Sequence, residues 1–320
     1  MTPELPSAQR PWLSVVMPVF NGADTLAESI ASVALQAEGI ELVLVDQASD
    51  DASVAIAKSF ADRIDIRIVS NPESSGWMEN TNLAMSMARA PFATMLHQDD
   101  YWHEDRAAVL KAMLETYSEA ALWVHGADYV DDRSHRIGTF APPFGARRRL
   151  VPSAEAFETL IVQDTIALPA VVFRTSDYRM LAGLDETLWM TADWDLWLKL
   201  IGKGPLAWTH EKLVAFRLHR ASLTLKGSRK LEDYRDQLDR ALHRHLDTLA
   251  EAERARLEPL ARSSNAINFW LASRYHAAGA SISELLRIVL SIGPRRWGEF
   301  LRKTQLLQRV VPRLRLRKKK

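Results

Sequence analysis

"LSVVMPVFNGADTLAESIASVALQAEGIELVLVDQASDD", residues 13–51, sets the architecture. Residues 13–20 are apolar without alternation, which predicts a strand buried on both faces. Asn21-Gly22 breaks the run. Residues 23–37 then place Leu26, Ile30, Val33 and Ala34 at helical spacing, and 40–46 form a second continuous apolar strand that ends at Asp46. The pattern repeats. "QASDD" opens another helix, 64–70 reads as a third strand, 74–90 as a loop leading into a helix, and 91–97 as a fourth strand. Strands alternating with helices predict an α/β fold with a Rossmann-like, mostly parallel sheet flanked by helices.

In such sheets ligands bind at the carboxyl ends of the strands. Three of those ends carry polar signals here: "PVFNG", "VDQASDD" and "HQDD". Further along, "AALWVHGADYV" and "HRIGTFAPPFG" read as a hairpin-like excursion, 167–204 as strand, helix, loop and helix, and 207–224 as short strands. From about Ser228 the pattern is helical. The expected division is a lead-in over 1–11, disordered and without the apolar core of a signal peptide, a catalytic domain over 12–227, and a helical extension over 228–320.

The composition is that of an ordinary globular chain, with 47% apolar and 25% charged residues among 320. Cysteine is absent, which excludes thiolate chemistry and fits a reducing, cytoplasmic setting. No apolar run is long enough to cross a membrane as a helix. The formal charge of +1 is uneven: residues 281–320 hold twelve Lys/Arg against Glu284 and Glu299. A basic tail mixed with Leu, Ile, Val, Trp and Phe suits the surface of an anionic membrane, which implies a peripheral location; the alternative is helices packed on the catalytic domain with a frayed end. The acidic body and the lack of a binding motif argue against nucleic acid.

Several polar residues have both a chemical and a structural reading. Asp46 can accept hydrogen bonds from a ribose or base, or serve as a turn aspartate. Gly76 and Asn82 lie where backbone amides entering a helix meet phosphates. Asp99 and Asp100 are paired carboxylates suited to a hard divalent cation bridging phosphates, or to capping the next helix. Asp193 and Asp195 sit among Trp189, Trp194 and Trp197, where desolvation raises a carboxyl toward a general base's range; otherwise Asp193 is the N-cap of an amphipathic helix.

Taken in order, these segments resemble the inverting, GT-A-fold nucleotide-sugar glycosyltransferases of family 2 over roughly residues 12–225. Residues 13–36 are similar to the family's first strand, P-x-[YF]-N turn and helix. "ELVLVDQASDDAS" is similar to "VVDDGSTDGT", with Gln47 and Ala48 in place of Asp-Gly while Ser49 and Asp51 are kept. "NPESSGWMENTNLAMSMARAPFATML" aligns Gly76 and Asn82 with the family's loop, with Ala84 for its glycine. "HQDDYW" falls on "DADDxW", so the D-x-D motif reads His97-Gln98-Asp99, and its first carboxylate is missing. "LAGLDETLWMTADWDLWLKL" is similar to "GGFDE…EDxDLWLRL", with Ala192 replacing the Glu. "FRLHRASLT" is similar to "YRxHxxSxS".

The resemblance implies a nucleotide-sugar site formed by Pro18, Val19, Phe20, Asn21, Asp46, Gly76, Asn82, His97, Gln98 and Asp99. It further implies a metal, Mn²⁺ or Mg²⁺, held by Asp99 and His219, and catalysis by Asp193. The donor would be a nucleoside-diphosphate sugar of UDP or dTDP type. The acceptor would be a glycan or lipid-linked molecule in surface polysaccharide or glycoconjugate synthesis. A catalytically inactive sugar-nucleotide-binding or scaffold protein is the alternative, raised by the lost carboxylate. A processive synthase fits poorly, since "GPRRW" has Gly293 where its motif needs Gln or Arg. A hydrolase built on His97, Asp99, Asp100 and His103 leaves the Asp46 and Asp193 segments unexplained.

Overall fold

The computed structural model describes residues 10–74, 76–218, 231–274 and 281–318. Its centre is a sheet of β1 (Leu13–Val19), β2 (Ile40–Asp46), β3 (Asp65–Ser70), β4 (Phe92–Met95), β5 (Tyr101–Trp102), β6 (Leu122–Val130), β7 (Arg136–Phe140), β8 (Arg149–Val151), β9 (Val171–Arg174) and β10 (Leu206–Arg217). The order is β3-β2-β1-β4-β9-β6-β10-β5, with β7 beside β6 and β8 beside β10. The first four strands are all parallel, joined by α1 (Ala23–Ala34), α2 (Ser53–Lys58) and α3 (Trp77–Met87).

The uninterrupted apolar runs are explained by burial on both faces. Leu13, Val15, Met17 and Val19 face one apolar layer with Leu26 and Ile30 of α1, while Val16 faces the other layer with Met78 and Met85 of α3. Each turn of phase along β1 therefore finds a core, and no polar face is needed.

The second half of the sheet is mixed. β9 runs antiparallel between β4 and β6, and β6 pairs in parallel with β10. The 122–140 segment does form an antiparallel pair, β6 with β7, but β6 is a central strand and no excursion. Residues 206–217 are one strand, not several short ones; register shifts between Thr209 and Val214 interrupt its pairing with β6 without ending it.

Around this half lie α4 (Arg106–Thr116), α5 (Ser153–Leu160), α6 (Thr175–Met180) and α7 (Ala192–Ile201). The C-terminal helices are α8 (Leu231–Leu246), α9 (Glu251–Ser273), α10 (Ile282–Leu290), α11 (Trp297–Thr304) and α12 (Leu306–Lys318). Leu238, Leu242, Leu257, Leu260 and Phe300 join the apolar layer that holds Trp194, Trp197 and Trp208, so the helical extension and the sheet share one core. The basic α12 is docked on β7: Arg315 Nη1 donates to the Ile137 carbonyl (2.7 Å), and Gln308 Oε1 accepts from the Ala141 amide (2.9 Å). Gly138 permits this approach, since a Cβ there would lie 2.6 Å from Pro312 Cγ. Among the described residues no helix is long and apolar enough to cross a membrane.

Candidate active site

β1 is the pivot of the sheet. β2 and β3 build outward on one side, then the chain crosses to lay β4 on the other, which opens a crevice at the carboxyl ends of β1 and β4. A cleft of about 280 Å³ occupies that place. Pro18, Val19 and Phe20 form one wall, His97, Gln98 and Asp99 the next, and Gln47, Trp77 and Asn80 the side toward β2 and α3. Trp189, Met190 and Asp193 close it from the α7 side, with Leu168, Phe216 and Arg217 beneath.

Backbone hydrogen bonds hold the rim in shape. The Phe20 amide donates to Gln98 Oε1 (2.8 Å) and Gln98 Nε2 donates to the Phe20 carbonyl (3.0 Å), so Gln98 pairs with the turn as a strand would. Gly22 leaves room for it: a Cβ there would meet the Gln98 side chain at 2.6 Å. Asn21, in the left-handed region at φ 48°, receives its place from Ser49, whose Oγ accepts from its amide (2.9 Å). Asp51 Oδ2 accepts from the Ala23 amide (2.9 Å). Ser49 and Asp51 thus lace the β1–α1 loop to the β2–α2 loop.

The two carboxylates after β4 have different environments. Asp100 is buried, accepts from the Arg217 amide (2.8 Å), and is pushed well above the usual carboxyl range by burial and by Asp99 beside it. Arg217 Nε also donates to the Asp99 carbonyl (2.8 Å), which ties the turn to β10. Asp99 keeps its side chain on the cleft wall. His97 packs edge-on against Trp77 (5.2 Å between ring centres) and is held neutral by burial, with Asp99 opposing. Its Nε2 is buried and has no hydrogen-bond partner among the described residues.

Asp193 and Asp195 part in the same way. Asp195 is fully buried, with Lys199 Nζ at 2.5 Å, His245 Nε2 at 2.9 Å and Arg244 Nη1 at 3.2 Å. Burial pushes its carboxyl up, but hydrogen bonds from His245 and Lys199 outweigh that and hold it at about 2. It stitches α7 to α8. Among the described residues Asp193 forms no ion pair: its Oδ1 accepts from the Trp194 amide (2.9 Å), and burial raises its pKa to about 6. Thr191, not Asp193, holds the N-cap position of α7.

The remaining expected residues that the structure describes do not line the cleft. Asp46 ends β2, but both its oxygens serve Ser49, accepting from its amide (3.0 Å) and its hydroxyl (2.5 Å), and the cleft wall there is Gln47. Gly76 precedes α3 outside the cleft wall, and its extended backbone needs no glycine freedom. Asn82 is turned toward the 178–186 segment, where Oδ1 accepts from Tyr178 Oη (2.5 Å) and Nδ2 donates to the Leu184 carbonyl (3.0 Å). His219 falls outside the described residues. Gln47, Trp77, Asn80 and Arg217 line the cleft from within the quoted motif stretches, at positions to which the resemblance assigns no role. Asp164, raised by burial and by the charge of Asp193, carries no motif at all.

Among the described residues no three His, Asp or Glu side chains converge to cage a metal ion. The donor set still suits one kind of cation. Mg²⁺ and Mn²⁺ take one or two carboxylates and complete their shells with substrate phosphate oxygens and water, so Asp99, with His97 Nε2 nearby on the same wall, fits a cation that arrives with a diphosphate.

Comparison with known proteins agrees with this arrangement. Residues 14–161 match the profile of Glycosyl transferase family 2. The chain is 26% identical over 230 residues, 71% of its length, to a Rickettsia prowazekii (strain Madrid E) protein described as "Uncharacterized glycosyltransferase RP339", of which it covers 70%. Its fold is similar to that of S. aureus TarS 1-349 in complex with UDP (TM-score 0.65, 16% identity, 96% of this chain and 92% of that one). It is also similar to the Pyrobaculum calidifontis mannosyltransferase PcManGT in complex with GDP-Man and Mn²⁺ (TM-score 0.58, 15% identity, 95% and 87%). Residues 14–161 thus match the glycosyl transferase family 2 model, within a fold similar to the GT-A fold of these solved structures.

Proposed function

We propose that the protein transfers a sugar from a nucleoside diphosphate, of UDP or dTDP type, to a glycan or lipid-linked acceptor with inversion at the anomeric carbon. The observation that carries this reading is Asp193: a carboxyl with no ion-pair partner among the described residues, held at about 6, lining the same cleft as Asp99. Near neutral pH it is mostly ionised and basic enough to accept a proton from a hydroxyl.

In the single displacement, the acceptor oxygen forms its bond to the anomeric carbon as the bond to the diphosphate oxygen breaks. The hydroxyl proton passes to Asp193 and the nucleoside diphosphate leaves. Pro18–Phe20 and Gln47 would receive the nucleoside, with Asp46 and Asn21 fixing the loops behind them. Trp77 and Asn80 would flank the sugar, and Gly76 and Asn82 would set the position of α3. Asp99, with His97 and His219, would hold Mn²⁺ or Mg²⁺, which when bound offsets charge on the leaving diphosphate. We place the enzyme in the cytoplasm, peripheral to an anionic membrane surface and active in surface polysaccharide or glycoconjugate synthesis.

Calorimetric titration with UDP, dTDP and GDP, with and without Mn²⁺, tests the donor side. One nucleotide is expected to bind, at least about tenfold more tightly with Mn²⁺, and Asp99→Ala is expected to remove that gain. Absence of nucleotide binding under every condition would instead support the inactive scaffold.

A further inference from the structure

The cleft does not end at Asp193. A second cavity of about 140 Å³ opens beyond it, sharing Leu168, Met190, Asp193 and Phe216 with the first. Its outer wall comes from the C-terminal helices, including Tyr234 of α8, Asn268 of α9, and Arg309 and Arg313 of α12. Because Asp193 belongs to both cavities, a hydroxyl on a molecule seated in the second meets the same carboxylate as a donor in the first.

The far wall is charged in an unusual way. Arg309 is only 3% exposed, yet its partners are all neutral: Ser264 Oγ (3.2 Å), the Thr304 carbonyl (3.3 Å), the Ser264 carbonyl (3.5 Å) and Asn268 Oδ1. Among the described residues it forms no ion pair. Burial, with Arg313 adding repulsion, lowers its pKa to about 9. A buried guanidinium without a carboxylate is costly, and arginine's fork is shaped to take two oxygens of a carboxylate or phosphate. The nearest acid on this cavity's wall besides Asp193 is Asp164, which burial and the Asp193 charge hold toward its neutral form. Among the described residues, the lining of this cavity therefore supplies little negative charge.

We infer that the acceptor carries an anionic group, a phosphate or a carboxylate, seated against Arg309 and Arg313 while its nucleophilic hydroxyl reaches Asp193. This rests on the assignment of Asp193 as the base. It gives the C-terminal helices a part in acceptor selection.

The test is calorimetry on the full chain saturated with Mn²⁺ and whichever of UDP, dTDP or GDP binds, so that the donor cleft is filled. Three probes are titrated: glucose 1-phosphate, glucuronic acid and methyl glucoside. At least one charged probe is expected to bind tenfold or more tightly than the neutral sugar, and which one it is separates phosphate from carboxylate. Arg309→Gln is expected to remove that advantage, while Arg309→Lys keeps part of it. Should Arg309→Gln not fold, Arg313→Gln at the same wall decides, with a smaller loss expected. Charged and neutral probes binding alike, no charged probe binding, or an advantage that survives both substitutions would overturn the inference while nucleotide binding stands. Loss of nucleotide binding itself would overturn the donor reading and this one with it.

Discussion

Asp193 and Asp195 are two residues apart on one helix and have opposite chemistry. Asp195 faces Lys199, Arg244 and His245 and is held at about 2; Asp193 has no ion pair among the described residues and is held at about 6. The depressed Asp195 contributes stability that is present above pH 4 and lost as the pH falls toward 2. Allowing for solvent around Lys199 and Arg244, that amounts to about 1–2 kcal/mol. Asp195→Asn is expected to lower unfolding stability by about 2 kcal/mol in urea at pH 7, with the gap to wild type narrowing below pH 4. A gap unchanged at pH 3 would contradict an ionic role. Both aspartates were visible in "ADWDLWLKL", but their division was not, because Lys199 is one turn away while Arg244 and His245 come from a helix about fifty residues on.

At the scale of elements, the strands best read from sequence were those buried on both faces. β1 and β2 have lengths and limits close to the apolar runs, since each needs only its own residues to declare itself. The insertion of β9 between β4 and β6 rests on pairings across distant segments and leaves no local trace. The site followed the same rule. The His97–Asp99 turn and Pro18–Phe20 were legible as polar breaks after apolar strands. Asn82 and Asp46, which the resemblance puts at the ligand, are hydrogen-bonded here to Tyr178, Leu184 and Ser49, partners that the motifs do not announce. The composition of the basic α12 fits either a membrane-facing tail or a helix packed on the domain, and Gly138 of β7 gives it room to pack. Gly138→Val is expected to displace Pro312 and destabilise the chain by about 1–3 kcal/mol, with faster tryptic cleavage at Arg313 and Arg315. Cleavage at the wild-type rate would mean that α12 does not rest on β7.

For the whole molecule, the shared core joins the C-terminal helices to the sheet, and among the described residues they also carry most of the exposed large apolar side chains. Ile282, Leu286 and Leu290 lie one helical turn apart on α10, each more than half exposed, and Leu307 on α12 is 76% exposed. Arg287, Arg295 and Arg296 stand along the same stretch. A stripe of leucines bordered by arginines suits an anionic interface, where each basic residue contributes about 1 kcal/mol or less. Leu286→Glu combined with Leu290→Glu is expected to cut sedimentation with phosphatidylglycerol vesicles several-fold while leaving nucleotide affinity unchanged. Equal sedimentation of the variant and wild type would count against a membrane face here.

The account stands or falls on Asp193 as the base that activates the acceptor. The direct measurement is the transfer rate against pH, at saturating donor, for wild type and Asp193→Asn, with nucleotide affinity measured on both. A carboxyl held at about 6 predicts a wild-type rate that climbs about tenfold per pH unit below 6 and levels off above it. The variant should lose about a thousandfold or more of the rate and the pH dependence, yet bind nucleotide as before. A variant that retains near-wild-type turnover, or the same rise through pH 6, would contradict the assignment.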